Sequence, residues 1–322
     1  MKILKFIQKN LALELPVAMI FGIFSAQFFE WKFLQNLLPA LTFAMIFPQM
    51  VNLNFAAIFQ KCAPRLQFSA QFLNFAVVPF FGFFLGKIFF AANDPAALGL
   101  LLVALLPTGS MTISWTGLTG GNLPAAIKIS LFGLFAAALA APIYLKILVG
   151  KSVPAPFFAI AAKIATIILV PLFVGFLTRK FLLRKFGAEK FSKKIAPNFA
   201  AFSAVGVLAM VFAVMHLKAQ IFFADPFLIL RFAAPIAIFY AGNFALAAFL
   251  GRIFFARPDA IALVFGTAMR HLAISLALAV TLFENSGGAI AGVVAVAFVF
   301  QLQIAAIFAK FVPRIFGAAK KI

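Results

Sequence analysis

Acidic residues are scarce in this chain. Of 322 residues only 7 are Asp or Glu, against 27 Lys and Arg, and there are 2 His and 1 Cys. One cysteine excludes a disulfide framework and a thiolate metal cluster. There is no HExxH, no pair of catalytic acids, and no nucleophile beside a base on adjacent segments, so the chain lacks an enzyme's equipment and is read as a non-enzyme with no cofactor. Charged residues make up 11% of the total, whereas a soluble domain has about 25%. That scarcity is a poor match for a soluble enzyme, a disordered chain or a nucleic-acid binder.

What is present is apolar surface. Hydrophobic residues are 65% of the sequence and the mean hydropathy is +1.13. A bilayer-spanning helix needs roughly 20 mostly apolar residues, so this composition supplies about ten spans. Breaks of Pro, Gly, Asn or charge place them at 11–29, 33–51, 68–90, 96–118, 123–145, 155–178, 198–217, 227–250, 260–283 and 287–309. The expected fold is an all-α polytopic membrane protein of ten transmembrane helices, with the lipid bilayer as its first partner. Lys2, Lys5 and Lys9 precede an apolar run without a small-residue cleavage site, which reads as a retained first helix.

The net charge of +20 is read by position. With the N-terminus cytoplasmic, most basic residues fall in cytoplasmic connections, including the run from Arg179 to Lys194 and the tail from Lys310 to Lys321. The positive-inside bias therefore favours cytoplasmic N- and C-termini in a cell membrane.

An internal repeat organises the spans. Residues Phe84 to Asp94 (FLGKIFFAAND) recur as Phe249 to Asp259 (FLGRIFFARPD), offset by 165 residues and identical at eight of eleven positions. The copies close the third and eighth spans, on opposite sides of the membrane in this topology. A unit with an odd number of spans, used twice, is inverted in its second copy, as recurs in secondary transporters. The first five-helix repeat is expected over 1–150 and the second over 151–322, with helix 6 and the basic cytoplasmic loop in 151–195. No gating charges or filter-like carbonyl run point to a channel.

Two spans carry interruptions. Pro107-Thr108-Gly109-Ser110-Met111-Thr112 lies near the middle of the fourth, where proline and glycine break helical bonding. Gly266-Thr267-Ala268-Met269-Arg270-His271 lies in the ninth. An arginine at mid-depth costs several kcal/mol unless it faces a polar cavity or is paired. All seven acids stand near span ends, so the candidate partners of Arg270 are an oxyanion substrate or the carbonyls of a broken helix. The expected substrate-binding set is Thr108, Ser110, Thr112, Arg270, Asn74 and Lys128, with Thr267, His271 and Ser130 lining the site or coupling transport. His271 is either a proton carrier or a hydrogen-bonding core histidine. Lys128 either faces the cavity or snorkels to the interface. Gln49, Asn52, Asn243, Gln301 and Gln303 read as interhelical hydrogen-bonding residues.

The segment Pro107-Thr108-Gly109-Ser110-Met111-Thr112-Ile113-Ser114-Trp115-Thr116-Gly117-Leu118 followed by Gly121-Asn122, with Met45 to Met50 and Asn285 to Ala289, resembles the bile acid:sodium symporter superfamily and its arsenite-permease branch. The likeness covers nearly the whole chain. It implies two inverted five-helix repeats, a core of spans 3–5 and 8–10, a panel of spans 1, 2, 6 and 7, and broken helices 4 and 9 crossing near the substrate. Against the sodium-coupled members, Gly266 and Arg270 stand in place of an acid and a Gln. Thr112 and Ile113 stand for a Ser-Asn pair, Ala126 for a Ser, and Asn74 for a Gln. Thr108 stands where the arsenite branch has Cys. These departures argue against sodium binding and for a secondary transporter of a small organic anion, proton-coupled or facilitative. Arsenite efflux and a non-transporting receptor or scaffold are the alternatives.

Overall fold

The computed structural model describes residues 2–59, 62–91, 94–149, 157–283 and 287–317. Among the described residues the chain is helical throughout, apart from turns and one isolated backbone bridge. The helices are α1 (Lys2–Ser25), α2 (Leu34–Asn52), α3 (Pro64–Phe72), α4 (Val78–Phe89), α5 (Pro95–Leu105), α6 (Ser110–Leu118) and α7 (Leu123–Tyr144). They continue as α8 (Phe157–Lys190), α9 (Ala196–Leu217), α10 (Ala219–Ala224), α11 (Leu228–Phe254), α12 (Arg257–Ala268), α13 (Leu272–Leu282) and α14 (Gly287–Phe316). A π-helical turn, Leu73–Val77, joins α3 to α4 and places Pro79 at the start of the next segment.

Among the described residues six helical segments are long and apolar enough to cross a membrane. One of them, Phe157–Leu217, has 61 residues. A straight helix of that length would run about 90 Å at 1.5 Å per residue, three times the ~30 Å hydrocarbon core. It is not straight: Gly187 has φ 77 and ψ 161, a left-handed backbone that reverses the chain, and α8 and α9 both pack on α2. The run Arg179 to Lys194, expected as a polar connection, is helix on either side of this turn. Ring faces hold its cations, with Arg179 4.7 Å from Phe191 and Lys190 5.0 Å from Phe186. The Arg179 guanidinium also donates to the Val51 and Asn52 carbonyls at 3.3 Å, closing the C-terminal end of α2.

The densest packing falls into two sets, which also touch each other where α14 meets α1 and α9 and where α13 meets α8 and α2. Helix α9 lies along α1 and α2, and α2 also meets α8. Elsewhere α4, α5, α11, α12, α13 and α14 pack on one another. Membrane helices gain little from excluding lipid-like side chains, so close approach by small residues matters. The two repeat copies show this in the same way. Phe90 N–H donates to Gly86 O and Phe255 N–H to Gly251 O, each at 3.1 Å, and each chain then turns extended. A Cβ at Gly86 would stand 3.3 Å from Ala97 Cβ, and one at Gly251 3.2 Å from Ala260 Cβ. Replacing either Gly86 or Gly251 by Val should lower thermal stability in detergent by about 1–3 kcal/mol through overpacking, with Ala162→Val on an exposed face as the neutral control. Loss at only one of the two positions would break their equivalence.

Candidate functional site

The fourth and ninth spans are broken where the sequence interrupts them. Helix α5 stops at Leu105 and α6 begins at Ser110, while α12 stops at Ala268 and α13 begins at Leu272. The two extended links cross and pair. Pro107 and Arg270 form an antiparallel bridge, Thr108 N–H donates to Met269 O at 3.0 Å, and His271 N–H donates to Leu106 O at 2.9 Å. Each break thus satisfies backbone groups freed by the other, which a lipid environment requires. Thr108 adopts φ 48, a strained conformation for a β-branched residue that the surrounding contacts must hold.

Arg270 is the centre of the crossing, with 1% of its surface exposed. Its Nε donates to Val103 O at 3.3 Å and one Nη to Ala104 O. The other Nη donates to Asn74 Oδ1 at 2.6 Å and to Thr267 O at 3.1 Å. These bonds use four of the five guanidinium N–H groups. Val103 and Ala104 lie in the last turn of α5, and Thr267 in the last turn of α12. Of the two partner classes open from the sequence, the observed one is the carbonyl set, extended by Asn74. Asn74 is itself fixed by donating from Nδ2 to Gly266 O at 2.9 Å.

The backbone of Arg270 is held as firmly. Gln301 Oε1 accepts from Arg270 N–H at 2.6 Å, and Gln301 Nε2 donates to Arg270 O at 3.2 Å. Tyr240 donates its hydroxyl to the same Oε1 at 3.0 Å. The Gln301 amide therefore mimics a neighbouring strand. Thr112 donates to Phe265 O at 3.2 Å, and Ser275 to Leu102 O at 3.1 Å.

Beside the crossing lies a cavity of about 510 Å³, within the range of small-molecule sites. Gln49, Asn52, Ser114, Ser203, His271, Gln301 and Gln303 are among its polar lining residues, Trp115 and Phe298 are aromatic ones, and the first turns of α6 and α13 reach it through Met111, Leu272 and Ala273. No Asp or Glu stands among the described lining residues. His271 caps α13, its Nδ1 accepting from Ile274 N–H at 3.4 Å, so the ring proton belongs on Nε2 in the neutral form.

The expected site residues separate into two sets. Arg270 and His271 reach the cavity lining. Asn74, Thr108, Thr112, Thr267 and Ser130 are buried in the crossing behind it; Thr267 and Ser130 donate to carbonyls of their own helices. Thr108 and Ser130 meet His271 and Gln49 at a closed gap behind the cavity. Lys128 is half-buried on α7 and does not line the cavity. The Ser110 side chain lies outside the described residues. Tyr240, Ser114 and Ser203 were missed. Ser203 lies on α9 and joins Gln49 of α2 at 3.0 Å, a meeting of remote spans with no local sequence signal. Among the described residues no three of His, Cys, Asp and Glu gather as metal ligands.

The electrostatics divide cleanly. A helix C-terminus carries about −0.5 elementary charge and an N-terminus about +0.5. The C-terminal ends of α5 and α12 face the guanidinium, and the N-terminal ends of α6 and α13 face the cavity. The four ends cancel, leaving the single positive charge of Arg270.

The sequence matches the family model described as Sodium Bile acid symporter family over residues 38–225. It is 26% identical over 286 residues to the arsenical-resistance protein Acr3 of Alkaliphilus metalliredigens, covering 83% of this chain and 79% of that protein. An uncharacterized Bacillus subtilis protein, YbaS, is 23% identical over 301 residues, 91% of this chain and 93% of that one. Sodium/bile acid cotransporter 7 of Danio rerio is 33% identical over 124 residues, 38% of this chain and 35% of that protein.

Arg270→Met should cost about 3–5 kcal/mol of stability, because it strips a buried set of acceptors of their donor, and Asn74→Leu about 1–3 kcal/mol. The double variant should lose less than the sum, since both changes remove one shared contact. Additive losses in detergent melting would show that the two side chains act separately.

Proposed function

The chain belongs to the Sodium Bile acid symporter family, and from that premise we propose that it is a secondary transporter carrying a small organic anion by alternating access, without a sodium ion at the crossing. Family membership is consistent with a non-enzymatic transport function. The observation that carries the substrate class is the single uncancelled positive charge at the crossing, beside a cavity with no described acid in its lining. A monoanion bound against the α6 and α13 N-termini would balance that charge.

Arg270 supplies the charge without spending its own N–H groups on the solute. In this reading its guanidinium does the electrostatic work of a coupling cation, since it already occupies the carbonyls of Val103, Ala104 and Thr267. Solute contacts then pass to the α6 N-terminus, including Ser110, to His271, and to the polar lining from α2 and α9. Asn74, Thr112 and Thr267 position the crossing. A proton could be the coupling ion through His271, or transport could be facilitative.

Ten spans arranged as two inverted five-helix repeats give this site its two-sided access. The matching ends of the two repeat copies support that arrangement, and the two densest packing sets support a division into a core and a panel, whose relative motion is part of this proposal. The basic cytoplasmic connections support cytoplasmic termini. Arsenite efflux has weaker support: Cys62, the one cysteine, does not line the cavity, and arsenite binding favours a soft thiolate.

The test is uptake of a panel of labelled mono- and dicarboxylates by proteoliposomes, with sodium or potassium as the only cation. Saturable uptake of at least one carboxylate at the same rate in both salts is expected. Uptake that appears only with a sodium gradient, or only with neutral solutes, would overturn the proposal.

A further inference from the structure

The central cavity has a neighbour. A second space of about 670 Å³ lies between the end of α6 and the last turns of α14, where Gly117, Leu118, Ala309, Val312 and Pro313 are among its walls. Along α6 the central cavity ends at Trp115 and the second space begins there, and along α14 the same change falls at Ala306. Trp115 and Ala306 are the described residues that line both. The two spaces are thus consecutive stretches of one corridor, divided at an indole on one wall and a methyl group on the other.

The indole is braced from behind. It stacks on Phe265 of α12, with ring centroids 6.2 Å apart and 14° between the planes. Phe265 is fully buried and meets Phe244 and Phe308 edge-on at 6.0 and 5.8 Å, a favoured aromatic geometry that fixes its ring. The backbone that carries Trp115 is fixed by Arg257. Helix α6 ends at Leu118. Just beyond it the Arg257 guanidinium donates to the carbonyls of Thr119 and Gly120, each at 3.2 Å. Its Nε donates to Gly317 O at 2.9 Å, at the end of α14. One side chain therefore ties down the ends of both corridor walls.

We propose that Trp115 is the partition that sets the size of anion the central cavity accepts. With the indole in place the solute has about 510 Å³, which suits a small molecule. A bulky arm on the anion would have to continue into the second space, and the stacked indole stands in its way. Displacing that indole gives up its contact with a buried, immobile ring, so the limit is steric and independent of the solute's charge. Negative charge and small bulk are then selected by different residues, Arg270 and Trp115. The inference rests on the anion-carrier reading for what the cavity holds, but its test needs no transport.

The test uses the full-length protein in detergent, with Cys62→Ala and Leu302→Cys as the single thiol. Leu302 lines the central cavity and is 8% exposed, one helical turn before Ala306 on the same face, so an adduct there sits beside the partition. Two thiosulfonate reagents are compared, one bearing a short alkyl sulfonate and one a bulky aryl sulfonate, each normalised to its rate with free cysteine. With Trp115 present, the aryl reagent should lag. Trp115→Ala should raise the aryl-to-alkyl ratio about tenfold, the rate equivalent of the strain that overpacking a closed space costs. Trp115→Leu should raise it less, and it carries the test where the alanine variant does not fold. Adding Ala309→Phe, which refills the corridor beyond the partition, should return the ratio to its starting value. An unchanged ratio in the Trp115 variant, or a gain that survives Ala309→Phe, would overturn the proposal. A failed flux assay with this labelling pattern intact rejects the carrier reading alone.

Discussion

A guanidinium buried in an apolar helical protein must find acceptors for its donors and a counter-charge for its cation, and Arg270 obtains them from backbone carbonyls at two helix ends, with Asn74 as one side-chain acceptor. The last carbonyls of α5 and α12 accept its N–H groups, and the dipoles of the same two helices oppose its charge. Two helix C-termini at one point would repel each other without a cation between them. The arginine in turn would be costly to bury without the two helix ends. The broken helices and the buried charge therefore stabilise one another, and neither is intelligible alone.

The rest of the site follows from that contact. Because α5 and α12 end at Arg270, α6 and α13 begin just beyond it, and their N-terminal turns reach the central cavity. The extended links between the halves pair with each other through Thr108, Leu106 and His271. Gln301 and Tyr240 complete the backbone's hydrogen bonding from α14 and α11. The Arg270 guanidinium and the backbone of both links are thus tied to the surrounding helices, while the buried Thr108 hydroxyl has no hydrogen-bond partner among the described residues. The surface opposite the crossing, from α2 and α9, is joined by Gln49 and Ser203. The proposed alternating access requires the crossing and this opposite surface to move relative to each other.

The sequence made some of this legible and hid the rest for physical reasons. Composition and hydropathy located the long apolar helices, because a bilayer imposes length and apolarity on each one locally. Pro107 and Gly109 marked one break, since both act on the backbone where they stand. Arg270 marked the other through its cost. The destination of its guanidinium was not legible, because carbonyl groups are present at every residue and carry no sequence signature. Nor was the retreat of Thr112 and Thr267 into carbonyl bonds, which depends on how a helix rotates against its neighbours. The basic run from Arg179 to Lys194 was visible as charge. Its continuation as helix depends on Phe181, Phe186 and Phe191 packing against the cations, a contact that spacing alone does not reveal.

The most direct measurement of Arg270 as a fixed cation is chemical rescue of its removal. Arg270→Gly leaves the carbonyls of Val103, Ala104 and Thr267 around an empty guanidinium-sized space. Melting of the purified variant should rise with millimolar guanidinium relative to choline at equal ionic strength, while the parent protein does not respond. No rise in the variant, or the same rise in both proteins, would contradict the assignment of Arg270 as the cation that balances the two helix ends.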